Sequence, residues 1–160
     1  MKTYIGLIDS LNENQIFVFG SNPLGINGNL QTGRGGSALH ATKKGWVIQG
    51  EKMNNCLSRT GKSWGIVTVS APGRKRSKSP LEITSNIKKL YDYASINTEY
   101  DFLIAYTLGG RNLNGYSDVE MAKMFATNPI PTNIVFEIGF SKLVEEQKIK
   151  TVNGFGEDWF

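Results

Sequence analysis

Four short apolar runs along the chain predict β-strands. They lie at residues 16–19 (IFVF), 64–69 (WGIVTV), 102–107 (FLIAYT) and 133–139 (NIVFEIG). Each run is too short for a helix and rich in β-branched or aromatic residues, a pattern typical of strands that are buried on both faces of a sheet. Residues 46–48 (WVI) form a shorter candidate strand. We therefore expect a central sheet built from these segments.

Two helices are predicted by capping boxes, in which a serine and a glutamate three residues later each accept a hydrogen bond from the other's backbone N–H group. The first box is formed by Ser79 and Glu82, with Pro80 at the first helical position. The second box is formed by Ser117 and Glu120. The two boxes predict where these helices begin.

A shorter helix is predicted over residues 37–44, with Ser37 as the N-cap and Gly45 as the terminator. Strands that alternate with helices indicate an α/β fold in which both faces of the sheet are covered. A chain of this length suits a single domain, residues 1–160, whose residues 141–160 form a C-terminal tail of undefined packing. The candidates in this tail for docking on the body are Phe155, Trp159 and Phe160.

Composition narrows the classes of protein that fit. Hydrophobic residues make up 39% of the chain and charged residues 20%, as in ordinary globular domains. The only cysteine, Cys56, and the only histidine, His40, cannot form an internal disulfide or a usual zinc site. We expect neither a bound metal nor a cofactor. Polar residues interrupt residues 1–15, which predicts a cytoplasmic protein without a signal peptide or membrane contact. The net charge of +4 favours anionic partners.

Two glycine-rich segments carry the candidate chemistry. The first glycine loop, residues 21–37, follows the strand at residues 16–19, and the second glycine loop, residues 108–116, follows the strand at residues 102–107. Glycine permits left-handed turns and the close approach of a ligand, and the helix after each loop offers unpaired N–H groups to an anion. Two such loops at the same edge of a sheet would hold a diphosphate from both sides.

Two other nucleotide-binding motifs do not fit. The first glycine loop is too long for the tight turn of a Rossmann fingerprint. Gly61, Lys62 and Ser63 imitate the end of a Walker A motif, but Cys56 occupies the place of its first glycine. A strand rather than a helix is also predicted to follow. We therefore interpret this segment as unrelated to phosphate binding.

Three segments in this order and spacing resemble the small macro-domain-like proteins of bacteria and large tailed phages: FVFGSN (17–22), GGSALHA (35–41) and TLGGRNLNGYSD (107–118). The similarity spans residues 17–136. It implies a three-layer α/β/α sandwich with a mixed, largely parallel sheet, and a crevice that binds ADP-ribose or a phosphorylated ADP-ribose derivative. Some members hydrolyse the ligand, as ADP-ribose 1″-phosphate phosphatases or ADP-ribosyl hydrolases, and a phage-encoded member would act in the host cytoplasm.

Matched position by position, the resemblance makes Asn22 the candidate catalytic residue, pointing toward the distal ribose. The ligand-binding residues that it implies are Gly20, Ser21, Asn22, Gly25, Gly28, Gly33, Gly35, Gly36, Ser37 and Ala38 around the first loop, and Thr107, Gly109, Gly110, Arg111, Asn112 and Leu113 around the second.

The second loop departs from the family pattern. Arg111 and Asn112 stand where relatives often carry cysteine and glycine, and Arg111 adds a positive charge toward phosphate. Asn114 stands where one hydrolase branch has its catalytic aspartate, and an amide cannot act as an acid or a base. This disfavours that mechanism. The phosphatase reaction needs an ordered water, an orienting asparagine and backbone donors, which Asn22 and the two loops could supply.

Other polar residues have a structural and a functional explanation. A histidine can act as a general acid or base, but the place of His40 inside a predicted helix favours a structural role. Asp118 is explained by its position in the first turn of a helix. The basic loop, residues 74–78, with Arg74, Lys75, Arg76 and Lys78, is either a solvated loop or a contact to phosphate or nucleic acid. It carries the alternative function, a non-enzymatic nucleic-acid or protein-binding module.

Overall fold

The structure, a computed structural model, describes residues 1–48, 62–110 and 112–152, the final two by their backbone. Predictions for six residues lie outside these ranges: Cys56, Gly61, Arg111, Phe155, Trp159 and Phe160. The described elements, in chain order, are β1 (Thr3–Tyr4), β2 (Gln15–Ser21), α1 (Gly36–Lys43), β3 (Ser63–Val67), α2 (Pro80–Ile96), β4 (Asp101–Ile104), α3 (Asp118–Ala126), β5 (Ile134–Glu137) and α4 (Ile138–Val152).

The five strands form one sheet in the order β1-β5-β4-β2-β3, and all four pairings are parallel. β2 lies between two neighbours, and its apolar run at residues 16–19 is almost completely buried, as expected for the interior of a parallel sheet. The fold is therefore α/β, as the sequence predicted. The expectation of a mixed sheet is wrong for the described residues, in which no antiparallel strand joins the sheet.

Alternate residues of β2 belong to two apolar clusters. Ile16 and Val18 pack with side chains of α2, α3 and α4. Phe17 and Phe19 pack with side chains of α1 and with Trp46. Successive side chains of a strand point to opposite faces of the sheet, so α1 covers one face and the other three helices cover the other. The resulting order of layers is helix, sheet, helices.

Both predicted capping boxes are confirmed. The Ser79 hydroxyl accepts a hydrogen bond from the Glu82 N–H at 3.1 Å, and the Glu82 carboxylate accepts one from the Ser79 N–H at 3.0 Å. Ser117 and Glu120 repeat this pair at the start of α3. The backbone N–H bonds to the two carboxylates lower the pKa of Glu82 and Glu120. The chain therefore enters α2 and α3 where the sequence indicates.

The strands predicted at residues 64–69 and 102–107 end earlier, at Val67 and Ile104, and three further local predictions are wrong. Residues 46–48 form no strand, because the Trp46 N–H donates to the Ala41 carbonyl at 3.0 Å and its ring packs on Phe17. The N-cap of α1 is Gly35, not Ser37. Residues 138–139 begin a helix instead of ending a strand.

Much of the predicted tail belongs to α4. Phe140 and Val144 of this helix are fully buried in the same apolar cluster as α3, which fixes the helix against the body. None of the described helices is both long enough and apolar enough to cross a membrane.

Candidate ligand-binding crevice

The strand order places the two glycine loops together. From β2 the chain passes through α1 to β3 on one side, and from β4 it passes through α3 to β5 on the other side. Because α1 and α3 cover opposite faces, the loops that follow β2 and β4 diverge at the carboxyl ends of two adjacent strands. This is the topological switch point of the sheet, where ligands of open α/β folds bind.

A crevice of about 1830 Å³ opens at this point, and both glycine loops line it. The loops approach each other closely, since a Cβ built on Gly36 would lie 3.5 Å from Cδ1 of Leu113. The predicted ligand-binding residues that line the crevice are Gly20, Ser21, Asn22, Gly28, Gly35, Gly36, Ser37, Ala38, Thr107, Gly110, Asn112 and Leu113. Gly25, Gly33 and Gly109 belong to the loops without lining the crevice.

The first glycine loop is shaped by close backbone packing. Gly28 has a φ of 79°, and a Cβ there would lie 2.5 Å from Cα of Leu39 on α1. Gly35 has a φ of 131°, and a Cβ there would lie 2.3 Å from Cα of Gly28. Side chains at these two positions would separate the loop from the helix, so glycine is required by both conformation and space.

Asn22 organises the same loop with its amide. It is 4% exposed, its Oδ1 accepts from the N–H groups of Leu24 and Ile26 at 3.1 and 3.3 Å, and its Nδ2 donates to the Ile26 carbonyl at 2.9 Å. An amide nitrogen carries two hydrogens, and the second one has no acceptor among the described residues. The geometry gives Asn22 a structural role in the loop beside the predicted catalytic one.

The start of α1 presents backbone donors to the crevice. Its N-cap, Gly35, has no side chain to accept a hydrogen bond. The N–H groups of Gly36 and Ser37 therefore find no acceptor among the residues that the structure describes. Together with the partial positive charge of a helix N-terminus, two such donors favour an anion at this place.

The second glycine loop is held by a network of side chains. The Tyr106 hydroxyl donates to Oδ1 of Asp118 at 2.5 Å and accepts from Nδ2 of Asn112 at 2.8 Å. Oδ2 of Asp118 accepts from the Gly109 N–H at 2.9 Å, and the Tyr106 ring stacks on Phe140 at 3.8 Å between centroids. Burial and the Asp118 carboxylate raise the pKa of Tyr106 well above its usual value, so the hydroxyl is a stable donor.

This network answers two questions that the sequence left open. Asp118 lies in the first turn of α3, as predicted, and both of its carboxylate oxygens accept hydrogen bonds, one from Tyr106 and one from Gly109. Asn114 accepts from the Tyr116 N–H at 2.9 Å and donates to the sulfur of Met121, so it too shapes the loop. The sequence analysis did not identify Tyr106 as a site residue. It counted Tyr106 as one of the apolar residues of a predicted strand and gave its hydroxyl no role.

His40 lines the crevice but is engaged in packing. Its Nε2 lies 2.7 Å from the Ile8 carbonyl, to which it donates. Its ring lies 5.9 Å from that of Phe17 and 5.6 Å from that of Trp46. These contacts support the structural explanation of His40.

The charges around the crevice are mainly positive. Arg34 from the first loop and Lys75 from the basic loop line it, whereas Glu137 is the only carboxylate that does so among the described residues. Glu137 accepts a hydrogen bond from the Phe140 N–H at 2.9 Å. Exposed apolar side chains complete the lining: Leu7, Ile26, Leu30, Leu108 and Leu113. The crevice thus offers an anion site beside an apolar surface.

The segment that imitates a Walker A motif lies elsewhere. Lys62 donates to the Asn12 carbonyl at 3.2 Å, and Ser63 is fully buried at the start of β3, where it donates to the Trp46 carbonyl. This is the end of the sheet opposite to the crevice. The described part of the segment therefore agrees with the interpretation that it binds no phosphate.

Comparisons of the chain with protein-family models, with curated proteins and with solved structures give no match.

Proposed function

We propose that the crevice binds ADP-ribose or a phosphorylated ADP-ribose derivative. The observation that carries this proposal is that the two glycine loops, from adjacent strands at the switch point, line one crevice. A diphosphate between them would accept hydrogen bonds from the N–H groups of Gly36 and Ser37, and Arg34 would add a positive charge. The order of layers supports the further proposal that the domain is macro-domain-like.

The size and chemistry of the crevice also support a dinucleotide-like ligand. Its volume of about 1830 Å³ exceeds that of a site for one small anion. The apolar side chains that line it, such as Ile26, Leu108 and Leu113, suit the faces of a base and of a ribose. A ligand with a charged centre and two less polar ends matches this distribution.

Isothermal titration with ADP-ribose, AMP and NAD tests the proposal. We expect ADP-ribose to bind more tightly than AMP, because AMP lacks the diphosphate. Arg34→Gln should weaken binding of ADP-ribose, whereas Lys43→Gln should not, since Lys43 is exposed near the other end of α1 and does not line the crevice. Absence of heat with all three ligands would refute the proposal.

Hydrolysis is tested separately, through phosphate release from ADP-ribose 1″-phosphate and release of ADP-ribose from modified protein. For an enzyme, Asn22→Ala should abolish turnover. Asn22→Asp is the second variant, because it keeps the acceptor for the Leu24 and Ile26 N–H groups but replaces the amide donors by a negatively charged carboxylate. Turnover that is unchanged in both variants would remove Asn22 from the mechanism.

The alternative, a nucleic-acid-binding module, has less support from the basic loop. Arg76 forms an ion pair with Glu120 at 3.0 Å, and Lys78 forms one with Glu82 at 3.6 Å. The other two cations of the basic loop, Arg74 and Lys75, form no ion pair with a described residue. Two cations would give a shallow salt dependence of binding to DNA or RNA. Tight, steeply salt-dependent binding of oligonucleotides would favour the alternative.

A further inference from the structure

The basic loop belongs to the segment between β3 and α2, and part of this segment faces the crevice. Pro72, Gly73 and Lys75 line the same cavity as the two glycine loops. The segment has its own hydrogen bonds: Ser77 Oγ accepts from the Ser70 N–H at 2.8 Å and donates to the Arg74 carbonyl. A defined loop conformation thus provides a third wall of the crevice.

Arg76 fastens this wall to the second glycine loop. Its N–H donates to the Asn114 carbonyl at 2.7 Å, and its guanidinium pairs with Glu120 at 3.0 Å and lies 4.6 Å from the centre of the Tyr116 ring. Arg76 has a φ of 55°, the only positive value at a non-glycine residue in the described part of the chain. Such a conformation persists where surrounding contacts hold it, and it often occurs near functional sites.

This arrangement sets Lys75 apart from its neighbours. A Cβ built on Gly115 would lie 3.0 Å from Cβ of Lys75, so the base of the lysine packs on the second glycine loop. Lys75 forms no ion pair with any described carboxylate, unlike Arg76 and Lys78. Arg74 carries the same charge on the same loop but does not line the crevice.

We infer that Lys75 is a ligand-binding residue that pairs with the diphosphate from this third wall, and that Arg76 is the positioning residue that holds it there. A lysine is a compact charge on a flexible stem and suits a phosphate that also receives backbone N–H bonds. The inference rests on the proposed function, since it concerns the same crevice and the same diphosphate.

The test compares Lys75→Gln with Arg74→Gln, which removes the same charge one residue away. With ADP-ribose as the titrated ligand, Lys75→Gln should raise the Kd about tenfold, the size expected for a charge-assisted hydrogen bond. Arg74→Gln should change it less than about twofold, because an exposed charge outside the crevice is screened. Lys75→Arg should retain most of the affinity.

The positioning role of Arg76 is tested by a double-mutant cycle. Arg76→Gly accepts the positive φ and removes the contacts to Glu120 and Tyr116, so the loop should remain compatible with the fold. In this background Lys75→Gln should cost clearly less than tenfold, because Lys75 is no longer held at the ligand. Equal losses in both backgrounds would show that the Arg76 side chain does not position Lys75, since Arg76→Gly keeps the backbone bond to the Asn114 carbonyl.

The possible failures are distinguishable. If the wild type binds ADP-ribose and Lys75→Gln binds it equally well, or if Arg74→Gln loses as much affinity as Lys75→Gln, the inference is wrong and the proposed function stands. If the wild type binds none of ADP-ribose, AMP and NAD, the proposed function is wrong, and so is the inference that depends on it.

Discussion

The two glycine loops line the same crevice but are held in different ways. In the first loop, Gly28 and Gly35 allow the backbone to touch α1, and the contact leaves no space for a Cβ. In the second loop, Gly109 has space around its Cβ position, and the Tyr106 hydroxyl and the Asp118 carboxylate hold the backbone instead. The first loop therefore depends on backbone contacts that exclude a Cβ, in addition to the Asn22 amide, whereas side-chain hydrogen bonds from Tyr106 and Asp118 hold the second loop near Gly109.

The two loops should therefore respond differently to substitutions. In the first loop, a single added Cβ overlaps neighbouring atoms and forces the loop away from α1, so one substitution should cause a large loss of stability. In the second loop, a substitution removes one or two hydrogen bonds of the network and leaves the others, so each substitution should cause a smaller loss of stability. Variants of the two loops should therefore differ in the size of their effects and in their dependence on pH.

The largest effect is expected for Gly28→Ala. Its Cβ would overlap Leu39 and the residue would have to keep a positive φ, so we expect a loss of about 3–5 kcal/mol of unfolding free energy. Gly33→Ala is the matched control, because its φ of 72° is similar but nothing lies within 4 Å, and it should lose about 1 kcal/mol. Urea denaturation measures both, and equal losses would contradict the packing argument.

A smaller effect is expected for Tyr106→Phe in the second loop. The variant keeps the ring on Phe140 but leaves Asp118 Oδ1 and Asn112 Nδ2 without the hydroxyl, which should cost about 2 kcal/mol. Binding of ADP-ribose should weaken as well. Unchanged stability and affinity would show that the network does not hold the loop.

The difference in stability between wild type and Tyr106→Phe should depend on pH in alkaline solution. Burial and the neighbouring Asp118 raise the pKa of Tyr106, so the contribution of its neutral hydroxyl to stability is complete below the ordinary tyrosine pKa near 10 and is lost as the pH rises through the folded pKa.

The stability difference between wild type and Tyr106→Phe should therefore narrow above about pH 10. Tyr4, whose pKa is raised to about 12 mainly by burial, remains in both proteins and does not affect the comparison. Denaturation curves between neutral and strongly alkaline pH measure the difference. A gap that widens with pH would contradict the sign of this argument.

The smallest effects concern the helix starts after the two loops. Ser117→Ala removes the cap of α3 and should cost about 1 kcal/mol. Ser37→Ala should change the stability by less than about 0.5 kcal/mol, because the Ser37 hydroxyl caps nothing. Thermal unfolding measures both, and a larger loss for Ser37→Ala would contradict the assignment of Gly35 as N-cap.

Some features could be predicted from the sequence because they depend on neighbours along the chain. The buried run at residues 16–19 predicts an interior strand, and the boxes at Ser79 and Ser117 predict the starts of α2 and α3 to the residue. Local patterns were less informative at the start of α1, where a glycine takes the place of a polar cap. They also failed at residues 138–139, where a helix follows the strand without a loop.

Local patterns were enough to predict the α/β class, the glycine-rich character of both loops and the capped helices that follow β3 and β4, because periodicity, capping and glycine conformation act over a few residues. The meeting of the two loops at one crevice is visible only in the folded molecule, because it depends on which strands lie side by side. The contact of Tyr106 with Asp118 and the position of Lys75 at the crevice are likewise visible only there. These contacts depend on the crossing of the chain over the sheet, to which no local pattern is sensitive.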